Sequence, residues 1–159
     1  PAVYAADPHF GESLDTVTTL FARANTETAG GALTAAHETL EGIRDTLGEL
    51  RRRNGVIVFS DHINAYHTEM ERLLGGEIAI DNQSGLNEQV GVLVYLDRQI
   101  RDNAPETYRN DAKYRQLSAA NSAAIENLRK ALASGMADDI KTAIDGLKPA
   151  YSKLFLAFG

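Results

Sequence analysis

The chain has 159 residues, no cysteine and a formal net charge of −6. A chain of this length is expected to fold as one domain, so we assign residues 1–159 to a single helical-bundle domain. The lack of cysteine excludes disulfides, thiolate metal sites and covalent c-type haem attachment. The acidic balance argues against a nucleic-acid partner. No apolar run approaches the roughly 20 residues of a membrane span.

The first residues indicate export. Val3-Tyr4-Ala5 is followed by Ala6, which puts small side chains at the two positions that a signal peptidase reads. We therefore expect cleavage after Ala5 and a periplasmic location, with a trimmed chain or a tag remnant as the alternative. Residues 1–11, which include the remnant of the signal peptide, are predicted to form a flexible tail.

Apolar residues at spacings of three and four predict helices in the first half of the chain. The first begins with Ser13 as its N-cap and ends or kinks at Gly30-Gly31. Two further patterns meet at residues 53–56, where a turn or a bent continuous helix would fit; we prefer the turn, because Asn54-Gly55 is a strong helix breaker. The residues expected to face a packing partner are Leu14, Val17, Phe21 and Ala24, then Leu33, Ala36, Leu40, Ile43, Leu47 and Leu50, and then Val56, Phe59, Ile63, Tyr66, Met70 and Leu73.

In the second half of the chain, the spacing of apolar residues predicts three more helices after a loop at residues 75–85. They cover residues 86–103, 106–134 and 137–158, and Pro149 is expected to kink or divide the last of them. Together the patterns predict an all-α fold, an antiparallel up-and-down four-helix bundle with extra helical segments. The inward positions are Leu86, Val90, Leu93, Leu96 and Ile100, then Tyr114, Leu117, Asn121, Ala124, Leu128 and Ala131, and then Ile140, Ile144, Leu147, Tyr151, Leu154 and Phe158.

The last 35 residues, IENLRKALASGMADDIKTAIDGLKPAYSKLFLAFG, carry a short Gly-containing turn, an Ala-rich helix and a late aromatic residue. This segment resembles the closing hairpin of the periplasmic cytochrome c-prime and soluble b-type cytochrome bundles. The resemblance implies an exported up-and-down bundle. It does not supply a haem site, because the region from Lys148 to Phe155 lacks both the C-x-x-C-H motif of the c-type proteins and the last-helix histidine of the b-type relatives.

Histidines near acidic residues are the candidate metal ligands. His37 with Glu41, and His67 with Glu71, are spaced i and i+4 and so share a helix face. Imidazole and carboxylate together suit zinc, copper or iron, and His67 with Met70 would suit copper or a non-covalent haem. His62 flanks the same apolar stripe as His67 on its opposite side. A structural or surface role for these histidines is the alternative, and His9 is interpreted as an exposed tail residue.

Three functions follow from these patterns. The first is an exported carrier or accessory protein that binds a transition metal at His37, His62, His67, Glu41 and Glu71. The second is a non-covalent haem protein, and the third is a non-catalytic module that binds another protein without any ligand. An enzyme is not expected, because no nucleophile and base pair is evident. The partners expected are a metal ion or another protein, with a homodimer left open.

Overall fold

The computed structural model describes residues 2–76 and 79–159. All regular structure in these residues is helical and none is strand, which confirms the all-α class. After a 3₁₀ turn at Ala2–Tyr4, the helices are α1 (Phe10–Ala29), α2 (Leu33–Arg53), α3 (Phe59–Leu74), α4 (Gln83–Asp102), α5 (Glu106–Arg109), α6 (Ala112–Ser134), α7 (Ala137–Asp145) and α8 (Leu147–Phe158). None of the described helices is long and apolar enough to cross a membrane.

Glycines end the helices where the sequence predicts breaks. Gly31, Gly55 and Gly135 have φ angles of 77°, 67° and 72°, a left-handed conformation that glycine adopts without steric cost. The break at Gly55 settles the alternatives for residues 53–56, because α2 ends at Arg53 and α3 begins at Phe59. Of the predicted loop at residues 75–85, residues 77 and 78 lie outside the described part of the chain.

Two predicted helix boundaries were wrong. α1 begins at Phe10, so Ser13 is not its N-cap; the Ser13 hydroxyl lies inside the helix and donates a hydrogen bond to the His9 carbonyl at 3.0 Å. The single helix predicted at residues 106–134 is divided into α5 and α6. The cause is Asp111, whose carboxylate caps α6 by accepting hydrogen bonds from the backbone N–H groups of Lys113 and Tyr114.

The last predicted helix is also divided, as the sequence allowed. α7 ends at Asp145 and α8 begins at Leu147, so the break lies at Gly146. Pro149 then occupies the first turn of α8, where a missing backbone N–H leaves no helical hydrogen bond unmade.

The chain divides into two compact units, Pro1–Ile57 and Val58–Gly159. The single domain stays a prediction from the sequence. In the first unit α1 packs on α2 and forms an antiparallel pair, which we call the N-terminal hairpin. Its direction follows from two contacts: Thr39 donates a 2.7 Å hydrogen bond to Glu27 near the connecting turn, and Arg53 donates a 3.2 Å hydrogen bond to Ser13 at the other end.

The packing stripe of the N-terminal hairpin differs from the predicted one. Leu14, Phe21, Leu33 and Leu40, all expected to face a partner, are exposed. The physical reason is that, within this unit, each helix packs on one other helix through a narrow stripe, and that stripe lies one residue before Leu14, Phe21 and Leu40. The buried residues of the hairpin are Ser13, Ala24, Ala36, Thr39, Ile43 and Leu50. Four of them, Ala24, Ala36, Ile43 and Leu50, agree with the prediction.

Asp7 attaches part of segment 1–11 to α2. Its carboxylate accepts hydrogen bonds from Asn54 at 2.6 Å and from Arg53 at 3.2 Å. These bonds hold the pKa of Asp7 below its ordinary value, with the Asn54 hydrogen bond as the largest cause. The sequence pattern did not indicate this attachment.

In the second unit, which we call the C-terminal unit, α3 packs on α4, α4 on α6, and α6 on both α7 and α8, while α3 also contacts α7 and α8. The predicted inward residues of α3 and α4 are confirmed over most of their length. Fully buried side chains from five helices meet in this core: Ile63, Tyr66, Met70, Leu86, Leu93, Ile100, Asn121, Leu128, Ile140, Leu147 and Leu154.

Candidate functional site

The closest association of predicted ligands in the C-terminal unit is between His67 and Glu71. They lie one turn apart on α3, and His67 Nε2 is 3.4 Å from Glu71 Oε1. Both residues are on the edge of the buried stripe, so the imidazole is 17% exposed and the carboxylate 39% exposed. The i, i+4 spacing on a regular helix is what brings the two side chains together.

Two aromatic rings of α8 hold the His67 imidazole. Tyr151 stacks on it with ring centroids 5.5 Å apart and planes 10° apart, and Phe155 follows at 6.4 Å and 24°. Tyr151 is itself fixed, because its hydroxyl donates a 3.2 Å hydrogen bond to the Ile63 carbonyl. The orientation of the imidazole is therefore set by packing as well as by Glu71.

Lys148 completes this cluster. Its ammonium Nζ lies 2.9 Å from Glu71 Oε1, the oxygen that also faces His67. Partial burial would raise the pKa of Glu71, but the hydrogen bond and charge of Lys148 outweigh it, and the pKa lies below its ordinary value. Glu71 is therefore ionised at neutral pH. Lys148 was not predicted, since no local pattern in the sequence relates positions 71 and 148.

The second predicted pair lies in the N-terminal hairpin. His37 Nε2 is 3.4 Å from Glu41 Oε1, but the His37 side chain is 70% exposed. Arg44 competes for the same oxygen at 3.0 Å. This pair has the spacing that the sequence predicted and none of the enclosure that surrounds His67.

Two further predicted ligands, His62 and Met70, also lie on α3. His62 is partly buried on α3. Met70 is fully buried in the core of the C-terminal unit. Among the residues that the structure describes, no group of three or more His, Cys, Asp or Glu side chains is placed to hold a metal ion. The structure thus brings together ligand pairs, and not the larger set predicted from the sequence.

A buried polar network on α4 and α6 was not predicted. Asp97 is buried, and its carboxylate accepts hydrogen bonds from Asn121 at 2.9 Å, Ser122 at 2.7 Å and Arg101 at 3.1 Å. A signal existed in the sequence, because Asp97 lies four residues after Leu93 and three before Ile100 and so falls on the inward stripe of α4.

No protein-family model, curated protein or solved structure matches this chain. The resemblance to the cytochrome bundles therefore stays a prediction from the sequence, and the assignment of function depends on the geometry of the residues themselves.

Proposed function

We propose that the protein binds an exchangeable transition-metal ion (zinc, copper or iron) at His67 and Glu71. The observation that carries the proposal is the 3.4 Å separation of His67 Nε2 and Glu71 Oε1. An ion bound by both atoms at about 2.1 Å in tetrahedral geometry separates them by about 3.4 Å. The separation of the two atoms is therefore that of a pair that binds one ion together.

The surroundings of the pair favour this role. Stacking of Tyr151 on the imidazole fixes the ring, which lowers the entropic cost of ligation. The lowered pKa of Glu71 keeps its carboxylate in the form that binds cations. Met70 is left out of the proposed site because it is fully buried in the core.

Two protein ligands imply weak and reversible binding, with water in the other coordination positions. Lys148 adds to this weakness, since its ammonium occupies Glu71 Oε1 at 2.9 Å and must move for an ion to bind. Reversible uptake suits a carrier or accessory protein more than a structural metal site, which is closed by four protein ligands. No catalytic role is part of the proposal.

The proposal includes the finer architecture and the location expected from the sequence. The C-terminal unit would be an up-and-down four-helix bundle in which α3, α4 and α6 are three rods and α7 with α8 is the fourth; the packing of α3 on α4, α4 on α6, α6 on α8 and α8 on α3 supports it. Export to the periplasm rests on the residues around Ala5.

Metal titration of the untagged protein tests the site. Isothermal titration with zinc, copper(II) and iron(II) salts should give one site per chain, and His67→Ala or Glu71→Ala should weaken it about tenfold or more. Lys148→Met should strengthen binding several-fold, because it removes the competing cation. A structural role for His67 would not produce this opposite effect of Lys148→Met.

The matched control is His37→Ala, which removes a histidine from the exposed pair with the same 3.4 Å separation. Binding should be unchanged in this variant, and circular dichroism should show that all four variants remain helical. The proposal is contradicted if the protein binds none of the three ions. It is also contradicted if His37→Ala loses binding while His67→Ala retains it.

A further inference from the structure

The end of α2 is followed by Asn54-Gly55, the one Asn-Gly pair in the sequence. Asparagine is among the chemically labile residues of proteins. It is most labile before glycine, because glycine has no side chain to hinder attack of its backbone nitrogen on the asparagine carboxamide. Gly55 is exposed, and Asn54 is half-buried. The pair is therefore a candidate for covalent change at a position that water reaches.

The reaction at such a pair needs neither an enzyme nor a cofactor. The Gly55 nitrogen attacks Cγ of Asn54 and loses its proton, the bond from Cγ to Nδ2 breaks, and ammonia leaves with that proton. One water molecule then opens the cyclic imide at either of its two carbonyls and leaves aspartate or isoaspartate at position 54. The net change is loss of ammonia and gain of water, with no transfer of electrons.

Three hydrogen bonds hold the reacting groups in an unreactive arrangement. The nucleophile, the Gly55 N–H, donates to the Arg52 carbonyl at 3.1 Å. The Asn54 carboxamide donates from Nδ2 to the Leu50 carbonyl at 2.8 Å and to Asp7 Oδ2 at 2.6 Å. The carboxamide is thus turned back along α2, so ring closure requires these bonds to open first.

Asp7 is the one acceptor of the three that lies far away in the chain, 47 positions from Asn54. Its side chain is only 4% exposed. The other carboxylate oxygen accepts the His9 N–H at 2.9 Å, and Arg53 donates to the same oxygen as Asn54 at 3.2 Å. An ionised acceptor makes a stronger hydrogen bond than a backbone carbonyl. Asp7 therefore contributes most to holding the Asn54 carboxamide.

We propose that Asn54 is a site of spontaneous deamidation whose rate Asp7 restrains through its hydrogen bond to the carboxamide. Conversion replaces the donor that faces Asp7 by a second carboxylate, and two carboxylates in contact repel each other. The converted chain therefore loses the shorter of the two hydrogen bonds that attach Asp7 to α2. Because ammonia is lost, the change is permanent. The proposal is independent of the metal site at His67 and Glu71.

Incubation of the full chain in mildly alkaline buffer tests the restraint. Digestion and mass spectrometry then measure aspartate and isoaspartate at every asparagine. Asp7→Ala should speed conversion of Asn54 about fivefold or more, the change that loss of one strong hydrogen bond allows. Asp7→Asn keeps an oxygen acceptor without the charge and should give an intermediate rate. Asp15→Ala, which removes an exposed carboxylate of α1, is the matched control and should leave the rate unchanged.

The same measurement in concentrated urea separates structure from intrinsic reactivity. All variants should convert Asn54 at one common rate when unfolded, and this rate should exceed that of the folded protein. Circular dichroism of the incubated samples should show that the Asp7 variants remain helical. Equal rates in the folded protein and in folded Asp7→Ala, or no conversion of Asn54 in folded Asp7→Ala, overturns the proposal.

Asn54→Asp reproduces one product and tests the consequence of conversion. The titration midpoint of the Asp7 carboxyl carbon, followed by NMR, should rise relative to the unchanged protein, because a hydrogen-bond donor is replaced by a like charge. Asn25→Asp is the control, since this residue lies near the far end of α1, and it should not move the midpoint. An unchanged midpoint in Asn54→Asp would overturn the proposed repulsion.

Discussion

Asn121 donates a 2.9 Å hydrogen bond from Nδ2 to Oδ1 of Asp97, and both side chains are buried in the C-terminal unit. Ser122 and Arg101 bind the other carboxylate oxygen at 2.7 and 3.1 Å. Three donors therefore compensate one buried charge. Because Asp97 is on α4 and the two uncharged donors are on α6, the network fixes the register of these helices as well as satisfying the carboxylate.

Asp97→Ala should lower the free energy of unfolding by about 2–4 kcal/mol, because it leaves Asn121 and Ser122 without an acceptor in the core. Chemical denaturation followed by circular dichroism measures the effect. The matched control on the same helix is Asp102→Ala, which removes an exposed partner of Arg98 at 3.2 Å and should change stability by less than about 0.5 kcal/mol. Equal effects of the two substitutions would contradict a structural role for the network.

Two buried tyrosines should respond in opposite ways to loss of the hydroxyl. Within the described residues the Tyr66 hydroxyl makes no hydrogen bond of good geometry and has only a weaker contact with Asn121, and burial raises its pKa above the ordinary value. Tyr66→Phe should therefore leave stability unchanged or increase it by up to about 1 kcal/mol. Tyr151→Phe loses the bond to the Ile63 carbonyl and should cost about 0.5–1.5 kcal/mol. Thermal and urea unfolding of both variants compares them, and a large loss in Tyr66→Phe would show that its hydroxyl has a partner.

Gly91 and Gly135 provide a test of backbone conformation. Gly91 lies inside α4 with open space around its Cα, so Gly91→Ala should stabilise the protein by about 0.5–1 kcal/mol. Gly135 ends α6 with a φ angle of 72°, and Gly135→Ala should destabilise it by about 1–2 kcal/mol. Urea denaturation midpoints should move in opposite directions, and a shift in the same direction would be inconsistent with the left-handed end of α6.

The Asp7 carboxylate should make hairpin stability depend on pH in acid. Its folded pKa is lowered from the ordinary 3.8, so the folded state binds the proton less well than the unfolded state. The stabilisation is therefore complete above pH 3.8 and disappears as the pH falls through the folded pKa. Asp7→Ala should produce a small loss of stability at pH 7 and none near pH 2, as followed by NMR signals of α1 and α2.

The direct check is an NMR titration of the Asp7 carboxyl carbon, whose midpoint should fall below that of a free aspartate. Asp15→Ala, which removes a carboxylate from the exposed side of α1, is the control and should leave the midpoint of Asp7 unchanged. A titration midpoint at or above 3.8 would show that Asn54 and Arg53 do not bind the carboxylate in solution.

How far the sequence predicted the fold depends on how many neighbours a helix has. In α3 the apolar stripe of Ile63, Tyr66, Met70 and Leu73 was predicted and is buried, because neighbours enclose this helix on several sides. Within the unit that holds the N-terminal hairpin, each helix packs on one other helix, so spacing alone could not separate Leu14 and Leu33 from the residues that are buried. Heptad spacing identifies apolar stripes, but not which stripe receives a partner.

The candidate site was predictable only where it is local. The His67–Glu71 contact follows from the geometry of one helix and was predicted. The rings of Tyr151 and Phe155 and the ammonium of Lys148 come from α8, about eighty positions away, and no local pattern fixes that packing. Asp97 could likewise be placed on an inward stripe, but its partners on α6 lie 24 and 25 positions away and no local pattern identifies them.

The hydrogen bond between Tyr151 and Ile63 joins residues 88 positions apart in the chain. At about 5–20 residues per second, a ribosome needs roughly 4–18 seconds to make the residues between them. Of the helices that pack on α3, α4 is made within that interval and α8 is made last. The part of the apolar stripe that α8 covers therefore waits longest for its partner, and slower translation should prolong its exposure to chaperones and to neighbouring nascent chains.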